Sequence, residues 1–316
     1  MHQIKANFTD FDRFKQFAVG WDLDFKLLSR NNFNAYLNMY SNDTFQLGRT
    51  SFNGTVHQNG LAPKGFRTIV FPASTAVSYN WLNKDVNGRQ LLIFPRDRTL
   101  ESVSFDNFDV YVMSVSEQRL HELIENFGFR GVERAFSGLE KYLYLDPDFL
   151  QDFLRNAEIF LKFSHNTHTN ATMRDLQMLD SICSELLFKA LKYIDRTYEV
   201  SPRDVIRKRD IALKKSLNHI AEDQNKHMSI RELCKISKVS ERTLEYAFLE
   251  KFQISPSQYI KAYRLNIVKN ELWRLKGQNF LVSDIAAKFG FYHMGQFSAD
   301  FKRHFGQNPS YYIKNI

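Results

Sequence analysis

The sequence predicts an α+β chain: a β-rich amino-terminal domain with helices, then an all-helical carboxyl-terminal domain holding two similar small modules. Three observations predict it. Short apolar runs separated by turn signals occupy residues 33–115, a long helical pattern follows, and the carboxyl-terminal end writes one pattern twice at a constant offset of 53 residues.

A chain of 316 residues accommodates two ordinary domains, and 43% hydrophobic residues with 29 Phe suffice for buried cores. Charge is uneven. Residues 202–316 hold 21 Lys and Arg against 11 Asp and Glu, a net of +10, whereas residues 1–201 hold 22 against 24. A neutral body joined to a basic domain points to a polyanion partner for the basic part, against the plainer alternative of a solvated basic surface. Cys183 and Cys234 stand far apart in apolar helical text, without a CxxC or a Cys/His cluster, which argues against a disulfide framework or a zinc site. Met1–Lys5 lacks the apolar core of a signal peptide, and no run approaches the roughly 18 apolar residues of a bilayer span, so a cytoplasmic chain is expected.

The first strands are read from Arg67–Phe71, Gln90–Phe94 and Asp109–Val115, with turn signals at Asn53-Gly54, Asn59-Gly60, Pro63-Lys64-Gly65 and Asn87-Gly88. This spacing favours an antiparallel sandwich or barrel. Within residues 20–120 the single histidine is His57, without an HxH pair, so metal chemistry is not expected there. Phe71, Tyr79, Trp81, Phe94 and Tyr111 are candidates to line a ligand pocket, although inward aromatics are first of all core. Arg67, Arg96 and Arg98 are candidates to bind an anionic effector such as a carboxylate or a nucleotide phosphate, the alternative being solvated loop charges.

Glu117–Phe127 reads as a helix from Leu120, Leu123, Ile124 and Phe127. Asp148 to about Arg196 reads as a long helical stretch. Its apolar face runs from Leu176 to Ile194, and a polar break lies at His165–Asn170. That face serves either a symmetric helix pair between protomers or packing on the barrel. The expected domains are 1–130 (β-rich sensor), 131–200 (helical dimerisation and linker region), 201–210 (linker) and 211–316 (the repeated modules).

In the first module, Ser229 and Glu232 form a capping box ahead of a short helix. Ser240 caps the next helix, in which Leu244, Phe248 and Phe252 fall four apart as a buried stripe and leave Arg242, Glu245 and Tyr246 exposed. Ser255-Pro256 starts another helix. The second module repeats this with Ile285, Ala286, a turn at Gly290-Phe291, then Phe297, Phe301 and Phe305. Between them, Ser257 to about Leu275 forms a helix apolar on two sides, and its nineteen residues extend roughly 28 Å. That length is near the roughly 34 Å between major-groove faces one DNA turn apart.

These residues, in particular Ile285-Ala286, Gly290-Phe291, Gln296-Phe297-Ser298, Phe301-Lys302, Phe305-Gly306 and Pro309-Ser310, resemble the double helix-turn-helix domain of the AraC/XylS family of bacterial transcription regulators. The resemblance covers about Ile211 to Ile316. It departs from the family at Cys234, usually alanine, and at Gln253, near the usual glycine. It implies double-stranded DNA as partner, a nucleoid-associated location and a cupin-like sensor in the amino-terminal part. It further implies a homodimer, contact with RNA polymerase and, most often, an activator. In a helix-turn-helix the second helix enters the major groove. Base readers are then Arg242, suited to guanine O6/N7, Glu245, suited to cytosine N4, and Tyr246, suited to a thymine methyl or a phosphate. In the second module the family alignment places Met294, Gly295, Ser298 and Ala299 in the groove, with Gln296 at its edge. Phosphate contacts fall to Lys238, Lys302, Arg303 and the helix starts at Ser240 and His293.

Control by a small-molecule or nucleotide effector competes with control by a protein partner. A DNA-architectural protein and an enzyme with a DNA-binding tail are the other classes. No GxGxxG, GKS/T, HExxH or GxSxG occurs to favour an enzyme, and no cofactor is expected.

Overall fold

The computed structural model describes residues 2–17, 21–29, 33–81, 84–94, 99–137, 141–167, 172–198, 208–222 and 229–314. The chain divides into two units. The first comprises Met1–Asp24, Asn34–Asn53 and Gln58–Pro202; the second comprises Phe25–Phe33, Gly54–His57 and Arg203–Ile316. The predicted class holds: antiparallel β-structure with helices, then an all-helical region.

From the amino terminus the elements are β1 (His2–Phe8), α1 (Phe11–Gln16), β2 (Asp22–Leu27), β3 (Ala35–Ser41), β4 (Phe45–Phe52), β5 (Val56–Leu61) and β6 (Phe66–Pro72). There follow β7 (Ser78–Trp81), β8 (Lys84–Asn87), β9 (Gln90–Ile93), β10 (Leu100–Ser104) and β11 (Phe108–Ser116). Next come α2 (Glu117–Phe127), α3 (Arg130–Phe136), β12 (Lys141–Tyr144), α4 (Pro147–Thr167) and α5 (Met173–Thr197). One sheet has the order β1-β3-β4-β11-β6-β9-β12, the other β2-β5-β10-β7-β8. β11 is central to the larger sheet, pairing Val112 with Gly48 of β4 on one side and with Val70 of β6 on the other.

Alternation along these strands directs Phe45, Leu47, Ile69, Phe71, Tyr111 and Met113 into a core closed by α4 and α5. Phe71 stacks on Phe153 with centroids 3.9 Å apart, and Tyr40 meets Phe160 edge-on at 5.0 Å. A fully buried side chain of this kind contributes roughly 1.5–3 kcal/mol. α5 buries Leu179, Cys183, Leu186, Leu187, Ala190, Leu191 and Ile194, so its predicted apolar face is consumed inside the chain from Leu179 onward, and Leu176 is exposed. Burial also pushes the Cys183 thiol up to about 12, an unreactive state. The start of α3 has no side-chain cap of its own; Asp195 of α5 supplies one, accepting from the Gly131 amide at 2.6 Å and from Val132 at 3.3 Å.

The second unit continues with α6 (Lys208–Glu222), α7 (Ile230–Ser237), α8 (Glu241–Phe252), α9 (Pro256–Arg274), α10 (Val282–Lys288), α11 (Met294–Phe305) and α12 (Tyr311–Lys314). Lys208 and Arg209, read from sequence as linker, begin α6, and Arg209 pairs with Glu250 of α8 at 2.9 Å. The rest of that linker, 201–207, lies outside the described residues, as do His168–Asn170 of the polar break.

Candidate nucleic-acid interface

α7 starts at Ser229, whose hydroxyl accepts from the Glu232 amide at 3.2 Å. The expected reciprocal bond is replaced: the Glu232 carboxylate lies 3.5 Å from His219 Nε2 of α6. α7 ends at Lys238, whose left-handed backbone (φ 56°) turns the chain sharply into Ser240. Ser240 caps α8 by accepting from the Thr243 amide at 3.2 Å. Leu244, Phe248 and Phe252 are buried, and Arg242, Glu245 and Tyr246 are exposed on the opposite side. Lys238 and Ser240 are exposed beside them.

α9 opens with a complete capping box between Ser255 and Gln258 and with proline at its first position. Its two apolar sides are both covered. Tyr259 lies 4.5 Å from the ring of Phe252 and 5.4 Å from that of Phe248, in the first module. Leu265, Val268 and Leu272 join Ile285, Ala286, Phe297, Phe301 and Tyr312 in the core of the second. One rod thus belongs to both modules, which fixes their separation.

The turn between α10 and α11 passes through Gly290 at φ +86°, a conformation that glycine adopts at little cost. Arg264 Nη1 would stand 3.5 Å from a Cβ at that position. His293 begins α11 through its backbone, without a side-chain capping bond. Gly295, Gln296, Ser298, Ala299, Lys302 and Arg303 are exposed and Met294 is half-buried. Two of these residues are already engaged. Gln296 Nε2 donates to Asp300 Oδ2 at 3.0 Å, and Arg303 lies 3.5 Å from Asp300 Oδ1. Asp300 is buried and forms a close ion pair with Lys261 of α9. Burial favours the protonated acid there, but the bonds from Lys261 and Gln296 and the charges of Lys261 and Arg303 outweigh it and hold the carboxyl below its ordinary range. Gln296 and His293 also wall a cleft of about 440 Å³ that continues along Lys261 and Arg264.

Sequence reasoning missed Asp300, Lys261, Asn266 and His304. The available signal was Gln296, Asp300 and His304 recurring at four-residue spacing along the flank of the Phe stripe. It was masked because polar residues beside a buried stripe are ordinarily solvated.

The effector candidates fare differently. Arg67 is buried and donates to the Phe136 carbonyl, its guanidinium 5.4 Å from the Phe136 ring, so a structural partner occupies it in place of an anion. Arg96 and Arg98 lie outside the described residues. Phe71, Tyr79, Trp81, Phe94 and Tyr111 are all buried and packed, Trp81 on Phe94 at 4.4 Å and Tyr79 on Phe108 at 5.5 Å. His57 is buried in the second unit against Tyr259. Among the described residues no group of three His, Cys, Asp or Glu is placed to hold a metal ion, and no helix is long and apolar enough to cross a membrane.

Residues 233–315 match the family model described as a helix-turn-helix domain. This segment is an AraC/XylS-type helix-turn-helix domain. The chain is similar to the XylDLEGF operon transcriptional activator 1 of Pseudomonas putida, 24% identical over 108 residues, which are 34% of this chain and 33% of that protein. It is similar also to the raffinose operon transcriptional regulatory protein RafR of Pediococcus pentosaceus, 26% identical over 176 residues, 53% of this chain and 62% of that protein. The chain thus spans about a third of the length of the Pseudomonas relative. Among solved structures, the AraC-like transcriptional activator CuxR superposes with a TM-score of 0.41 at 10% identity, over 84% of this chain and 94% of that one. In the AraC/XylS domain of this chain the two second helices of the modules are α8 and α11.

Proposed function

We propose that the chain is a sequence-specific DNA-binding transcription regulator, an activator, whose amino-terminal domain controls DNA binding in response to a small-molecule or nucleotide effector. The observation that carries the reading is the pair of exposed helix faces, Arg242, Glu245 and Tyr246 on α8 and Gly295, Ser298, Ala299 and Lys302 on α11, joined through the shared rod α9. α8 supplies the base discrimination, since guanidinium, carboxylate and phenol are strong groove readers. α11 chiefly positions the duplex: Ser298 and Gln296 are weak readers there, and Lys302 and Arg303 face phosphate together with Lys238 and the starts of α8 and α11 at Ser240 and His293. The similar proteins of known role are operon regulators, which supports a regulator over an enzyme. We further propose a homodimer that contacts RNA polymerase. Exposed Met173, Leu176 and Met178 on α5 are the surface a second copy would cover.

Control by a protein partner is the second reading, and Arg67 favours it, because its guanidinium already serves the Phe136 carbonyl. Selection of duplexes from a random pool by the full chain tests DNA reading: an enriched motif is expected, and a pool left unchanged overturns it. Thermal-shift screening of metabolites and nucleotides separates the two forms of control. A stabilising compound supports the effector reading; none across the panel favours the partner.

A further inference from the structure

Leu27 ends β2, and its carbonyl oxygen is the buried meeting point of two distant side chains. Asn266 Nδ2 of α9 donates to it at 2.9 Å, and His304 Nε2 of α11 lies 2.7 Å away. A carbonyl only accepts, so His304 must present Nε2–H there. Asn266 also donates to Ala262 O at 2.8 Å, which fixes the amide's orientation. The Leu28 amide donates to Thr55 O at 2.8 Å and so ties residues 25–29 to residues 54–57. From that second segment His57 Nδ1 lies 3.0 Å from Tyr259 Oη, and its ring sits 5.2 Å from that of Phe252. The rod α9 is therefore gripped at Tyr259 and Asn266, and α11 is bound to it through the same oxygen. Leu27, His57, Tyr259, Asn266 and His304 are all buried.

The grip is on the far side of the reading helix. On α11 the buried positions are Phe297, Asp300, Phe301 and His304, whereas Gly295, Ser298, Ala299, Lys302 and Arg303 are exposed. A contact at His304 thus leaves the groove-facing side open, as a brace rather than a block. Two helices that must enter successive grooves lose affinity to whatever ordering they undergo on binding, and a preset geometry removes that loss. We propose that residues 25–29 and 54–57 brace the two reading helices at a fixed pitch, with Asn266, His304 and His57 as positioning residues that touch no DNA. The proposal rests on the DNA-reading function above.

The test uses the full chain and the duplex that the wild-type chain selects. His304→Leu removes the donor, His304→Gln keeps one, Asn266→Asp replaces the second donor with a carboxylate, and Arg274→Ala is an exposed control. Each variant is checked by circular dichroism, and its active fraction is fixed by stoichiometric titration before affinity is measured. His304→Leu and Asn266→Asp are expected to weaken binding by about tenfold per active molecule, with base preference and salt dependence unchanged, and His304→Gln to recover most of it. Faster hydrogen exchange at the Leu28 amide should accompany the loss. Wild-type affinity in folded His304→Leu overturns the brace, as does a His304→Gln variant as weak as His304→Leu. Should His304→Leu not fold, Asn266→Asp and His304→Gln decide by the same criteria. A wild-type chain that selects no duplex overturns the DNA-reading function itself, and the brace with it.

Discussion

Arg242 and Tyr246 stand one turn apart on the exposed side of α8, the guanidinium 5.6 Å from the ring centroid and Nη2 3.4 Å from the phenol oxygen. The ring limits the rotamers of a long cation that solvent would otherwise leave mobile, so the two side chains are placed as one unit. Arg242→Ala should lose about 1–3 kcal/mol at one base position and relax preference there. Tyr246→Phe keeps the ring and should leave that preference nearly intact. Parallel duplex selections with the three proteins check both. An unchanged motif for Arg242→Ala would remove it from base readout.

Lys302 is exposed on α11 and is expected to meet phosphate, which carries no sequence information. Lys302→Ala should weaken selected and random duplexes alike and reduce the slope of log affinity against log salt by about one. Arg303 is held near Asp300, so Arg303→Ala should lower the slope less. Titrations at a series of salt concentrations measure both slopes.

Asp300 contributes to stability in a pH-dependent way. Its folded-state carboxyl lies below the ordinary range, so its contribution is fully present above the ordinary carboxylate pKa and is lost as pH falls through the lowered value. Asp300→Asn should cost about 1–3 kcal/mol near neutral pH, because the Lys261 ammonium loses its buried partner. Urea unfolding at neutral pH and near pH 3 should show the difference between variant and wild type shrinking on acidification. A constant difference would assign the loss to packing.

Two left-handed positions predict opposite signs. Gln253 ends α8 at φ 56°, where a side chain is strained, and Gln253→Gly should raise stability by up to about 1 kcal/mol. Gly290→Ala at φ +86° should lower it by roughly 1–2 kcal/mol. Thermal unfolding of both variants reads the two shifts.

Much of the carboxyl-terminal domain was legible because its signals are local. The stripes Leu244-Phe248-Phe252 and Phe297-Phe301-Phe305, the caps at Ser240 and Ser255 and the glycine at 290 each act within a turn or two of chain. The same holds for the helix Glu117–Phe127, found with the limits its periodicity gave. The exposed positions of α8 followed directly, since a buried stripe defines the opposite face.

Legibility failed where a side chain's role depends on a partner far along the chain. Arg67 reads as an anion-binding or solvated loop cation until Phe136 is placed beside it, and Glu232 reads as half of a capping box, whereas its carboxylate lies beside His219. Asn266 carries no local pattern, and the four-residue spacing that includes His304 points to no acceptor; their common acceptor is 239 and 277 residues distant in sequence.

The sequence alone determined the two modules, the rod joining them and which helix faces remain exposed, because hydrophobic periodicity and capping are short-range physics. Only the tertiary structure decided that Phe25–Phe33 and Gly54–His57 belong with those modules and that Asp300, Asn266 and His304 find buried partners. Burying a polar group is tolerable only when another group satisfies it, and which groups meet is settled when the chain closes on itself.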